Sequence, residues 1–251
     1  MQLIKAMPRR DVIALGISLG GITLLSWIYL FSMASGMTMP QDAMQTPHWD
    51  AHYFLMMFLM WSIMMVGMML PSVAPTVLIY ASIARKSIAE GMPVAPVGAF
   101  VSGYLAMWIL FSLFATSAQW GLDQAALLSP MLVSNSSELA ALLIATAGVY
   151  QWLPIKDQCL QQCRSPVNFI TTHWRKGKMG AFRMGVSHGA YCLGCCWVLM
   201  SLLFVGGVMN LLCIATITLF VLLEKILPLG DTGGRVLGGG MILTGVIIAL
   251  I

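Results

Sequence analysis

Four soft or borderline metal donors stand in one short stretch, His188-Gly-Ala-Tyr191-Cys192-Leu-Gly-Cys195-Cys196. On a helix His188, Cys192, Cys195 and Cys196 share an arc of about 100°. Met184 lies beside that arc, and Met200 follows one turn after Cys196. An imidazole and three thiols aligned inside an apolar run are costly to bury, so their presence there points to function. A second set is the methionine run after Ala51: Met56, Met57, Met60, Met64 and Met68 fall within about 120° of one helix face, with Met65 and Met69 outside it. His48 and His52 precede that stripe. Thioethers and thiolates select Cu(I), and imidazole also accepts Cu(II), so the two sets together describe a route for a soft monovalent ion.

A third set is Cys159 and Cys163, with His173 ten residues on. Their basic neighbours, Lys156 and Arg164, favour the metal-binding thiolate. This reading makes the pair a docking point on a hydrophilic loop. Zinc, which takes the same ligand types, stays open as an alternative to copper.

Each set has a plainer reading. Methionine fills apolar gaps in helix packing. Gly185 and Gly189, four apart, make the face near His188 a candidate for close helix packing. Cys159 and Cys163 are equally readable as ordinary loop thiols, and Cys213 stands alone. Glu224-Lys225 reads as an interfacial pair in which the lysine snorkels.

The elements that carry these residues belong to a membrane protein. The chain has 251 residues, 59% hydrophobic and 9% charged, with mean hydropathy +0.87. So few polar residues cannot cover a soluble core. The six cysteines do not form a secreted disulfide framework. The expected fold is all-α, a polytopic transmembrane bundle of about seven helices in a single integral membrane domain over 1–251. Hydropathy places them near 12–33, 53–84, 97–118, 138–153, 184–205, 208–226 and 236–251. The second is kinked at Pro71 and Pro75, and 154–183 forms a hydrophilic cytoplasmic loop.

Charge tests this set of spans. Lys5, Arg9 and Arg10, then Arg85 and Lys86, then six basic residues in 154–183, then Lys225 and Arg235 account for all 13. All fall on one side of the seven spans, which puts the N-terminus in the cytoplasm and the C-terminus outside a bacterial inner membrane. The basic charge is therefore a topology signal against lipid rather than a nucleic-acid surface. Counted along the helices, Met60 and Met64 lie about 12 to 18 Å below His52, and Cys192 about 13 Å above Arg183. Both sets reach the middle of the bilayer, where thioethers would meet thiols if the two helices are neighbours.

Four blocks also resemble a known family, the predicted metal-binding integral membrane proteins, some described as copper chaperones. The blocks are Met64-Met65-Val-Gly-Met68-Met69-Leu-Pro71-Ser72, Cys159-Leu-Gln-Gln-Cys163-Arg164-Ser165-Pro166, Gly185 through Trp197, and Glu224-Lys225 with Pro228. Residues 1–50 do not contribute. The resemblance implies copper handling, with a copper enzyme or soluble copper carrier as partner. No phosphate-binding loop of the ATPase type is present, which argues against ATP-driven pumping. The expected activity is non-enzymatic transfer of Cu(I). The alternative is a membrane thiol-disulfide oxidoreductase working between Cys192, Cys195 or Cys196 and Cys159 or Cys163.

Overall fold

The computed structural model describes residues 8–36, 49–89, 96–129, 132–227 and 230–250, so His48 lies outside the described residues. Among them the chain is all-α: α1 (Arg9–Gly36), α2 (Ala51–Ala89), α3 (Val97–Gln124), α4 (Ser137–Tyr150), α5 (Pro154–Arg164), α6 (Pro166–Thr172), α7 (Gly177–Ser201), α8 (Leu203–Gly206), α9 (Leu211–Ile226) and α10 (Gly230–Leu250). Helices α1, α2, α3, α7 continued by α8, and α10 are long and apolar enough to cross a membrane. The pair α4 and α5, bent by 65° at its break, makes a sixth candidate if taken as one span. Seven spans were expected; α9, with 16 residues, is shorter than the roughly 20 that a bilayer core requires.

Local sequence explains most boundaries. The Ser136 side chain caps α4 by accepting from the Leu139 N–H, and Asn210 caps α9 by accepting from Leu212 and Cys213. Pro154 and Pro166 each open a helix, at positions where the missing N–H is no loss. Gly177, at φ +79°, lets α7 begin seven residues before the apolar run.

The hydrophilic segment expected as a loop over 154–183 is largely helical. Two proline-initiated helices, α5 and α6, occupy most of it, and α5 packs along α7. Lys156, Leu160, Phe169 and Ile170 turn inward, while Gln158, Gln161, Arg175, Lys176, Lys178 and Arg183 stay exposed.

Helix α2 runs unbroken for 39 residues through Pro71 and Pro75. At 1.5 Å per residue it is about 58 Å long, well beyond the bilayer core. Pro71 cannot donate to the Gly67 carbonyl one turn back, and the Trp27 indole of α1 donates to that oxygen at 3.3 Å instead.

Contacts along the helices show how the chain runs. Arg85 near the end of α2 pairs with Asp11 at the start of α1. Trp49, just before α2, donates to Asp123 near the end of α3 at 2.5 Å. α3 and α7 run side by side in the same direction, because glycines let their backbones touch. A β-carbon on Gly103 would overlap the Phe182 carbonyl, and one on Gly185 the Phe100 carbonyl. In the same way α4 and α10 meet at Gly148 and Gly238, where an added β-carbon on Gly148 would lie 2.6 Å from the Gly238 carbonyl oxygen. Apolar side chains such as Leu25, Phe31, Leu110, Phe114, Leu212 and Leu243 cover the outside of the bundle.

Candidate metal centre

The interior brings together residues that are dispersed along the chain. Cys192 is at its centre, fully buried on α7. The Lys225 ammonium of α9 donates to the Cys192 sulfur at 2.9 Å and to Ser72 Oγ of α2 at 3.0 Å. The Tyr104 hydroxyl of α3 lies 3.0 Å from the same sulfur and donates to the Met69 carbonyl at 3.1 Å. From α5, the Cys163 side chain faces Cys192 and Cys195. One sulfur therefore has an ammonium, a phenol and neighbouring thiols around it, and the ammonium is placed to balance a negative charge there.

Helix geometry sets the other donors. Cys195 and Cys196, buried on the same helix, each turn their thiols back to the Cys192 carbonyl at 3.0 Å. His188, one turn before Cys192, is 2% exposed, and its Nδ1 has no hydrogen-bond partner. It is enclosed by the rings of Phe100, Tyr104 and Phe169. Among the described residues no three side chains of His, Cys, Asp and Glu already surround a point where a metal ion would sit. The Cys195 and Cys196 thiols are instead engaged with the carbonyl of their own helix.

The methionine stripe divides. Met60, Met64 and Met68 are buried, as are Met57, Met65 and Met69, whereas Met56 is 44% exposed and His52 is exposed. The two methionines assigned outside the arc are buried because α2 is covered on several sides, by α1, α3 and α9. The backbones of α2 and α7 are not close neighbours. Tyr104, Ser72 and Lys225 bridge them, and the buried methionines and cysteines of both sets belong to one core.

Three placements differ from the sequence reading. Cys163 lies against α7 rather than on a docking loop. Cys159 is also turned inward, since a β-carbon on Gly194 of α7 would lie 2.8 Å from its sulfur. Glu224 and Lys225 do not form an interfacial pair: Glu224 pairs with buried Lys156 at 2.5 Å while Lys225 turns to Cys192. The basic residues assigned to the Cys159 and Cys163 thiols serve Glu224, because Arg164 Nε donates to its carbonyl at 2.8 Å and Lys156 also binds Gln151. This polar network borders a cavity of about 180 Å³ lined by Gln151, Lys156, Arg164, Glu224 and Gly234.

Sequence reasoning passed over Tyr104 as one aromatic among many in an apolar helix, and nothing local marks it. Lys225 carried a signal, a cation at the end of an apolar helix, but snorkelling gives the same pattern. Only the crossing of α9 with α2 and α7 distinguishes the two.

Comparison with known proteins agrees with the donor chemistry. A family model described as PpoB2, copper chaperone, matches residues 58–248, and the chain belongs to that family. The match includes Met60, Met64, Met68 and every cysteine, and leaves out His48, His52 and Met56. No curated protein and no solved structure matches the chain.

Proposed function

We propose that this member of the copper chaperone family is an integral membrane protein that binds and transfers Cu(I) without chemical turnover. The observation that carries the reading is the convergence of Cys163, Cys192, Cys195 and Cys196 around Lys225 and Tyr104, from four helices, with Cys192, Cys195, Cys196 and Tyr104 buried. Thiolates are the strongest Cu(I) donors among side chains, and His188 adds an imidazole with a free ring nitrogen. Lys225 balances the charge that several thiolates bring into a medium of low dielectric. The buried methionines Met60, Met64 and Met68 supply weaker neutral donors, suited to exchange rather than retention. His52 and Met56 sit at the exposed end of α2, where an ion would enter from outside the cell.

In this reading the protein lies in a bacterial inner membrane with its N-terminus cytoplasmic. The apolar outer surface supports that placement, as do Arg9, Arg10, Arg85, Arg175 and Arg183, which cluster toward one end of the bundle. Copper passes to a copper enzyme or soluble carrier.

Thiol-disulfide exchange is the second reading, and the closeness of Cys163 to Cys192 and Cys195 favours it as well, since an α5–α7 disulfide needs the same approach. Elemental analysis separates them. Detergent-purified wild type and a Cys163/Cys192/Cys195/Cys196→Ser variant are incubated anaerobically with Cu(I) and Zn(II). Near-stoichiometric copper in the wild type, lost in the variant, is the expected result. Negligible copper in both, with thiols that titrate reversibly as a disulfide couple, would sink the copper reading in favour of the second. Zinc retained in place of copper would change the cargo assigned to the site.

A further inference from the structure

A stack of rings joins the buried thiols to the end of the bundle where α6 lies. His188 is in contact with Phe169 of α6 at a ring separation of 4.8 Å, and Phe169 stacks on His173 at 4.6 Å with planes 18° apart. Tyr191 of α7 flanks both Phe169 and His173 at 6.1 Å. Phe169 is fully buried, whereas His173, the residue that ends α6, is only half-buried and has exposed neighbours in Thr171 and Thr172. One phenyl ring thus touches both an interior imidazole and a surface imidazole.

Both imidazoles are set up as donors. The His188 Nδ1 is buried with no partner, a costly state unless another species occupies it at some stage. His173 Nδ1 lies 3.1 Å from the Phe169 carbonyl and 2.9 Å from Thr172 Oγ1. An Nδ1–H donated to a backbone carbonyl fixes the lone pair on Nε2, the arrangement that orients a metal-ligating histidine. Met184 lies one turn before His188, buried, and its sulfur accepts the Arg175 N–H at 3.3 Å. From Cys192 outward the donors are thus imidazole, thioether and imidazole, each weaker for Cu(I) than a thiolate.

We propose that His188, Met184 and His173 form the path by which Cu(I) passes between the thiol cluster and a soluble carrier with soft donors, and that Phe169 is the barrier on that path. The inference rests on the Cu(I) reading above. Each step is ligand exchange: one Cu–N or Cu–S bond forms as another breaks, copper stays Cu(I), and a thiol that releases the ion regains a proton from water. The surface beside His173 is where the carrier would dock, and Trp174 and Arg175 border it.

The test loads detergent-purified protein with Cu(I) anaerobically and follows its release to bicinchoninate, a soluble Cu(I) chelator, by stopped flow. Equilibrium affinity is measured on the same samples. His173→Ala is expected to slow release about tenfold, a rise of roughly 1.4 kcal/mol in barrier, with affinity unchanged. Phe169→Ala is expected to speed release, and Phe169→Leu, which keeps a bulky apolar plug, to stay near the wild-type rate. Wild-type release from His173→Ala would overturn the path. So would a fall in rate and affinity together, which marks a structural role. If copper binds and depends on Cys192 while these rates stay fixed, only the path fails; if the wild type holds no copper, the Cu(I) reading fails with it.

Discussion

At the scale of single residues, position in the fold separates cysteines that look alike in sequence. Cys163 lies in a polar, basic stretch and Cys213 in an apolar one, yet it is Cys163 that reaches Cys192 and Cys195, while the Cys213 sulfur packs against Gly206. Cys163→Ser is expected to weaken Cu(I) binding by more than about tenfold, while Cys213→Ser leaves it unchanged. Competition against a chromophoric Cu(I) chelator measures both. Equal behaviour of the two variants would remove Cys163 from the site. His188 was legible from its spacing to Cys192 alone. Tyr104 was not, because a hydroxyl acquires its role only when another helix supplies the sulfur that it meets.

Among the elements, the glycine faces decide which helices meet. Gly185 and Gly189 were readable either as packing residues or as spacers within a ligand face, and they serve both ends. By admitting α3 to backbone contact they bring Tyr104 to Cys192. Gly185→Ala is expected to cost roughly 1–3 kcal/mol through forced separation of α3 and α7, read as a lower unfolding temperature in detergent. Gly98→Ala on the facing helix α3, with open space around it, should not lower that temperature, since alanine favours helix over glycine. If both variants unfold alike, close packing does not hold the site together. Helices α5 and α6 show the opposite relation of sequence to element. Their prolines were visible, but their polar composition reads as a loop, and it does not record that the two helices turn Lys156 and Phe169 inward.

For the whole molecule, the Lys156–Glu224 pair links α5 to α9 beside the cavity bordered by α10. Lys156 is 2% exposed, so removing its partner leaves an uncompensated buried charge. Glu224→Leu should destabilise by about 3–5 kcal/mol, and the Lys156→Met/Glu224→Leu double variant by much less. Chemical unfolding of the wild type and both variants in detergent checks this, and a double variant at least as unstable as Glu224→Leu would show that the two charges do not act as a pair. Orientation is also a property of the whole chain. With the N-terminus cytoplasmic, a cysteine introduced at Asn135 should react with an impermeant maleimide in intact cells, and one at Lys176 only after lysis. The reverse pattern would invert the direction in which copper enters.

The sequence by itself determined the helical class, the long apolar helices and the soft-donor chemistry, because each depends on residue type and on spacing within one helix. It also carried the resemblance to copper chaperones, through short blocks that keep their meaning without a fold. Only the tertiary structure decided that those blocks meet. Ser72, Cys163, Cys192 and Lys225 lie on four helices, and no local periodicity records which helix faces which. The roles of Lys156 and Lys225 were hidden for a related reason. Whether a lysine snorkels or turns inward depends on what the neighbouring helix offers, a carboxylate at Glu224 for one and a sulfur at Cys192 for the other.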